Sequence, residues 1–258
     1  MRVLGLPEFL HKPKRTLVMG IINVTPDSFS DGGESAGTES AVMRGIQMIR
    51  EGVDIIDIGG ESTRPGASRI SPEEEKARLL PVLRALADYD TVLSIDTMRA
   101  EVAEEAIAAG ASIVNDVSGG LADSDMPRLI ADVRVPYVVM HWRGFSDSMQ
   151  KLAVYEVTAK EVRHELAERI EKLTKAGVEI DQIILDPGLG FAKESDHNWD
   201  VLQAIESFEK LKRPLLVGAS RKRFLGRLLN DGESDRDVKE REAATIAVTT
   251  MLAERKVW

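Results

Sequence analysis

The chain has 258 residues, 43% of them hydrophobic and 30% charged, with a formal net charge of −9. Such a length suits one α/β domain of about 250 residues with a solvated surface, and the acidity argues against sequence-independent nucleic-acid binding, which needs a basic field to displace counterions. There is no cysteine, hence no disulfide or thiolate metal site, and the early apolar run 17–22 is too brief for a membrane span or secretion signal, so a cytoplasmic protein is expected.

One phrase repeats along the chain. A helix-period stretch ends at glycine, a β-branched run follows, and a polar residue stands where the run stops, as in Gly52-Val53-Asp54-Ile55-Ile56-Asp57-Ile58-Gly59 and Gly110-Ala111-Ser112-Ile113-Val114-Asn115. Glycine suits the position after a helix because it accepts positive φ, and the run reads as a strand buried on both faces. Strands are therefore predicted near 17–23, 53–58, 91–95, 112–115, 136–140, 182–185 and 214–218. Helices are predicted at about 39–51, 72–87, 98–109, 124–132, 156–176, 198–208 and 236–254. Ser71-Pro72-Glu73-Glu74 reads as a capping box, and Thr97 stands where it would cap the third helix. No linker or low-complexity tract interrupts the pattern, so residues 1–258 read as one domain.

Strict β-α alternation implies a parallel sheet, closed as a barrel or open and doubly wound. In either case ligands bind at the carboxyl ends of the strands. Those ends carry Asn23, Asp57, Asp96, Asn115, His141, Asp186 and Ser220. Polar residues there also begin ordinary loops, but loops alone do not require Asn or Asp directly after four apolar residues.

Three loops carry candidate chemistry. The first, Asn23-Val24-Thr25-Pro26-Asp27-Ser28-Phe29-Ser30-Asp31-Gly32-Gly33, sets one large apolar side chain among small polar ones. Such a composition suits a mobile cover over a ligand and equally an ordinary Asx-turn loop. The second, Gly59-Gly60-Glu61-Ser62-Thr63-Arg64-Pro65-Gly66, supplies close backbone approach, a hydroxyl and a planar cation, which are parts for holding an anion. The third, Gly218-Ala219-Ser220-Arg221-Lys222-Arg223-Phe224-Leu225-Gly226, opens a helix where barrel enzymes often hold phosphate, and only one or two of its cations can point inward. A Schiff-base role for Lys222 is the alternative to an ionic one.

Asp96 and Asp186, with Asn115 and Lys222, complete the set. A buried acid must be paired or must meet a donor-rich ligand. The exocyclic amine and ring N–H of a 2-amino-4-oxo-pyrimidine are two parallel donors to one carboxylate, an amide serves a mixed edge, and a lysine serves the carbonyl. Residue chemistry alone leaves a pterin, a purine or a divalent metal open at this point.

These segments resemble the motifs of dihydropteroate synthases. The loops at 23–33 and 59–66 are similar to the two signature loops of that family. Ser94-Ile95-Asp96-Thr97, the 114–120 stretch, Asp186-Pro187-Gly188-Leu189-Gly190-Phe191 and Gly218-Ala219-Ser220-Arg221-Lys222 resemble its remaining motifs in order, and Met140-His141-Trp142-Arg143 looks actinobacterial. The resemblance runs from about Leu17 to the last residue. It implies a (β/α)8 barrel, of TIM type, that joins a dihydropterin-methyl diphosphate to p-aminobenzoate. Asn23, Asp27, Arg64 and Lys222 would then be catalytic, with Asn23 ligating Mg2+ and, with Thr63, holding the diphosphate. Asp96, Asn115, Asp186 and Lys222 would bind the pterin. Phe29, Thr63, Arg64, Pro65 and Ser220 would shape the p-aminobenzoate pocket. A homodimer is also implied, and neither nucleic acid nor membrane is an expected partner.

The family continues into an eighth strand bearing Arg-x-His, whereas this sequence ends at Glu254-Arg255-Lys256-Val257-Trp258. An unfinished barrel, lacking the eighth strand and helix, is the resulting expectation. Two rival readings use the same rim: a pterin-dependent methyltransferase, which lacks the Thr-Pro-Asp-Ser-Phe loop, and a non-catalytic pterin binder.

Overall fold

The computed structural model describes residues 2–11, 13–25, 33–62 (for 33–36 the backbone alone), 69–230, 234–255 and 257–258. A short helix α1 (Glu8–His11) precedes the first strand, β1 (Met19–Asn23). Then α2 (Gly33–Glu51), β2 (Ile55–Gly59), α3 (Pro72–Leu86), β3 (Val92–Asp96), α4 (Ala100–Ala108) and β4 (Ile113–Asp116) follow in alternation. The chain goes on through α5 (Met126–Val133), β5 (Tyr137–Met140), α6 (Thr158–Lys175), β6 (Ile183–Asp186), α7 (Ser195–Gln203), α8 (Arg223–Leu228) and α9 (Glu242–Glu254). All six strands are parallel, and their spatial order is their sequence order.

Seven strands were expected, and the seventh is reduced to one parallel bridge from Leu185 to Leu215. Leu185 N–H donates to Pro214 O at 2.9 Å and Leu216 N–H to Leu185 O at 2.8 Å. These bonds to β6 are the ones that place 214–216 as its next neighbour in the sheet. At the opposite edge, Leu17 N–H donates to Trp258 O at 2.8 Å and the Thr16 hydroxyl to Val257 O at 2.7 Å, so the last residues lie beside the entry to β1. The alternation and strand order are those of a (β/α)8 barrel, without an eighth strand or helix among the described residues.

Side-chain alternation divides every strand between two environments. One face, including Ile56, Ile58, Leu93, Ile95, Val114, Val139 and Leu185, packs against the helices in the main core. On the other, Ile55, Val92, Ile113, Val138 and Ile184 meet Val3, Leu6 and Leu10 of the N-terminal segment in a second apolar cluster. That cluster floors the barrel, and the Trp258 indole N–H, donating to Leu10 O at 3.0 Å, ties the last residue to it. Two residues further along the same face the strands turn polar, at Asp57, Ser94, Asn115 and Asp186. Floor and mouth are therefore written into one strand each, as Ile55 and Asp57 show.

Two local expectations change. Ser71 caps α3, its hydroxyl accepting from Glu74 N–H at 3.2 Å, but the Glu74 carboxylate pairs with Arg78 rather than reaching back to the cap. Thr97 does not cap α4, because its hydroxyl accepts from Arg99 N–H at 3.2 Å, and the helix's first N–H, at Ala100, goes to Asp123 of another loop at 2.8 Å.

Candidate active site

Strand register assembles the mouth. Asn23 lies opposite Gly59, Gly59 opposite Asp96, and Asp96 opposite Asn115, so the carboxyl ends of β1 to β4 contribute one row. Gly59 is where the backbone must be bare, since a Cβ there would stand 3.3 Å from the Asp96 carboxylate. One layer below, Asn115 Nδ2 donates to Asp57 Oδ2 at 2.9 Å. Asp57 Oδ1 and the Ser94 hydroxyl, neighbours in register, are buried beside each other, close enough to interact but without a well-aligned hydrogen bond. Burial pushes the Asp57 carboxyl up, against Ser94 and Asn115. Asp96 is pushed well up by burial, then by the charges of Asp57, Glu75 and Asp116, with Lys222 opposing.

Asp116, next to Asn115, faces the other way. It accepts from Ser118 N–H and hydroxyl, each at 2.7 Å, from Gly120 N–H at 2.8 Å and from the Tyr137 hydroxyl at 2.7 Å. Four donors leave it no capacity for a ligand, and its work is to fold the 116–120 turn.

The β6 loop presents Asp186 as an Asx turn: Oδ1 accepts from Gly188 N–H at 2.7 Å. The turn demands glycine, because φ at Gly188 is +69° and a Cβ would meet His141 O at 2.6 Å. Burial raises the Asp186 carboxyl to about 6, with Lys222 and Lys193 holding it down. Lys222, the residue before α8, rests its ammonium 4.3 Å from the centre of the Phe191 ring. Burial lowers it, and Asp186 and Asp96 pull it back up. Of the three expected cations it alone turns inward: Arg221 pairs with Glu242 at 3.7 Å and Arg223 with Asp235 at 3.0 Å.

Behind this loop lies a chain of charges that the sequence did not announce. Lys193 Nζ stands 2.9 Å from His141 Nδ1, 3.0 Å from Gly188 O and 3.2 Å from Phe191 O. His141 Nε2 is 2.9 Å from Glu165 Oε2, which Arg143 also binds. Burial and the Lys193 charge lower His141 to about 4, so its ring is neutral and donates from Nε2. Burial raises Glu165, but the bonds from His141 and Arg143 outweigh that and bring it to about 2.

The second loop is anchored at both ends. Arg99 donates to Glu61 at 2.7 Å, to buried Glu75, and to Ile70 O at 2.7 Å, while Arg78 holds Gly60 O at 2.9 Å. Arg69 completes the cluster with a 3.1 Å bond to Glu61.

Of the expected site residues, Asp96, Asn115, Asp186 and Lys222 converge on the mouth, Asn23 sits exposed at its edge, and Ser220 is exposed on the turn before α8. Asp27, Phe29, Thr63, Arg64 and Pro65 lie outside the described residues. Sequence reasoning placed Asp57 and His141 on the rim without assigning either a role, and it left out Ser94, Lys193 and Glu165. Asp57 stood out because it breaks an isoleucine run.

A parallel barrel with an apolar floor and a mouth of carboxylates around one lysine is the site of an enzyme for small, donor-rich ligands. The family model described as "Pterin binding enzyme" matches residues 19–258. The chain is 45% identical over 243 residues to the dihydropteroate synthase of Mycobacterium leprae, covering 93% of this chain and 86% of that protein. Two solved structures from Xanthomonas albilineans are also similar. Dihydropteroate synthase with 4-aminobenzoic acid superposes with a TM-score of 0.86 at 40% identity, covering 94% of this chain and 85% of that one. The complex with 7,8-dihydropteroate gives 0.83 at 37% identity with the same coverage. The chain belongs to the pterin-binding enzyme family, among its dihydropteroate synthases.

Proposed function

We propose that this chain transfers the 7,8-dihydropterin-6-ylmethyl group from its diphosphate to p-aminobenzoate, a C–N bond-forming step of folate synthesis. The observation that carries the reading is the pair of buried acids, Asp96 and Asp186, that face Lys222. A buried carboxylate is costly unless donors meet it, and a pterin brings donors to the two acids beside Lys222: its 2-amino and N3–H edge to Asp186, its remaining polar edges to Asp96 and Asn115, its carbonyl to Lys222. The similar structures that hold 4-aminobenzoic acid or 7,8-dihydropteroate support the same assignment.

In the reaction the C–O bond to diphosphate breaks and the diphosphate leaves with the electron pair. The aryl amine then forms the C–N bond and loses a proton. The buried carboxylates stabilise the pterin-methyl cation left behind, a task for fixed charges in a poorly hydrated site. Thr63 with Asn23 is assigned to the diphosphate, Asp27 to the catalytic loop, and Phe29, Thr63, Arg64, Pro65 and Ser220 to p-aminobenzoate. Among the described residues no cluster of three or more His, Asp or Glu could hold a metal, and Asn23 offers one exposed amide. The Asn23 amide oxygen would hold a Mg2+ together with the diphosphate, and the ion would supply positive charge there. When bound there, through Asn23, it offsets the leaving group's charge.

Residues 1–258 are read as one domain, in the cytoplasm. No helix among the described residues is long and apolar enough to cross a membrane. A homodimer is part of the reading, supported by exposed Ile246 and Met251 on α9 and Leu228 on α8. The test is diphosphate release by the purified chain given the pterin-methyl diphosphate and p-aminobenzoate, with each omitted in turn and with EDTA followed by Mg2+. Release dependent on both substrates and on Mg2+ is the expected result. Pterin binding without release would make the chain a binder, and no pterin binding would end the reading.

A further inference from the structure

We infer that Lys193 is a positioning residue for the pterin site, backed by His141 and Glu165. The inference rests on the pterin reading of Asp186 and Lys222 given above.

The loop from Asp186 to Lys193 enters the left-handed region three times and is strained at Ala192. Gly188, Gly190 and Ala192 all have positive φ, at 69°, 80° and 46°, and alanine is rarely found there. Something must hold such a loop in one shape. Lys193 is 3% exposed and bonds the carbonyls of Gly188 and Phe191, one on each side of the turn. Through Gly188 it fixes the residue whose N–H orients the Asp186 carboxylate. Through Phe191 it fixes the ring against which Lys222 rests. One ammonium therefore sets both halves of the acid–lysine pair.

Its third proton is directed as well. His141 donates from Nε2 to Glu165, which leaves Nδ1 as an acceptor facing Lys193. All three protons of a charged Lys193 have acceptors. The Tyr155 hydroxyl adds a bond to Ala192 O at 2.8 Å, from the same side.

The charge acts beyond the bonds. Asp186 on β6, His141 after β5, Glu165 on α6, Arg143 and Lys222 all face this ammonium. Burial brings Lys193 down to about 7, while Asp186 and Glu165 hold it up. As a cation it favours the ionised form of Asp186, the form that accepts from the pterin edge.

Calorimetry with 6-hydroxymethylpterin across pH 5 to 8 tests this on the whole chain, comparing wild type, Lys193→Met and Asp186→Asn. Lys193→Met should weaken binding by about tenfold, as for a misplaced charged hydrogen-bond partner. The acid limb of its affinity profile, set by Asp186, should also move to higher pH, because the cation that favours the carboxylate is gone. A merely structural role would lower affinity equally at every pH. Should Lys193→Met not fold, His141→Asn, which keeps an acceptor at the Nδ1 position, should bind within about threefold of wild type, and His141→Leu should lose about tenfold. Wild-type affinity in folded Lys193→Met, an unmoved acid limb, or equal binding by the two His141 variants overturns the inference. A wild type that does not bind, or an Asp186→Asn that binds normally, instead overturns the reading of the site on which it rests.

Discussion

Asp186→Asn should make the empty protein more stable and the pterin complex weaker. In the empty site the carboxylate is 8% exposed, and burial has raised it from an ordinary 3.8 to about 6. An acid whose folded value is raised stabilises the fold most at low pH, where it is neutral in both states. That contribution is lost between about pH 4 and 6, as the unfolded chain ionises before the folded one. Above pH 6 the penalty is two units, on the order of 3 kcal/mol. An amide removes it while its Oδ1 keeps the bond from Gly188 N–H. For a chain of this size each kcal/mol moves Tm by about 2–4 °C, so a rise of up to about 10 °C at neutral pH is expected.

Binding should move the other way. Gly188 occupies one oxygen, so the substituted amide nitrogen turns toward the two donor hydrogens of the pterin edge. A mismatched charged partner costs about 1.5–3 kcal/mol, roughly 10–150-fold in Kd. Wild-type affinity should fall below pH 6 as the carboxyl takes a proton, whereas the variant's should stay flat. Thermal melts and calorimetry on the same samples decide it. A variant that melts lower and binds the pterin normally would make Asp186 a structural residue and refute the reasoning.

Gly188→Ala should lower stability by about 2 kcal/mol or more, since both its φ and its approach to His141 O exclude a Cβ; an unchanged denaturation midpoint would contradict the turn geometry. Arg99→Ala leaves Glu75 buried without its cation, while Glu61 keeps Arg69, and should cost about 3–5 kcal/mol, read by urea unfolding. Arg64→Ala and Phe29→Ala should depress turnover while leaving the affinity of the free chain for 6-hydroxymethylpterin within about twofold, since both are assigned to the p-aminobenzoate side; a large loss of pterin affinity would place them elsewhere.

The alternation of strands and helices was legible because parallel strands buried on both faces are largely apolar runs, and the six strands are, with Asp57 and Ser94 the interruptions within β2 and β3. The 214–218 run has a similar composition, yet it forms a single bridge to Leu185, and nothing in its own residues accounts for the difference. Asn115 and Asp116 show the limit for side chains. Both follow Ile-Val, and only register decides that Asn115 enters the barrel while Asp116 turns into its own loop. Lys193 and His141 meet across 52 residues, and no local pattern in either segment anticipates that bond. Thr97 looked like a cap because it stands near a helix start, yet Asp123 reaches that position from 23 residues away.

The interior of the barrel separates stability from function at a boundary two residues thick. Ile55 and Asp57 share a strand and a face, but Ile55 packs on the N-terminal plug while Asp57 carries an unpaired oxygen. Each floor residue lowers the free energy of the empty protein by burying apolar surface. Each mouth carboxylate raises it, because ionised groups are held away from water with fewer donors than they can use. The floor can therefore be rigid without any ligand, whereas the mouth is satisfied only when one arrives. A ligand that supplies the donors relieves the cost at Asp96 and Asp186 together, so its binding should register as a rise in Tm. That asymmetry follows from the acids alone, and it explains why a chain with net charge −9 concentrates three of its carboxylates where they cost most.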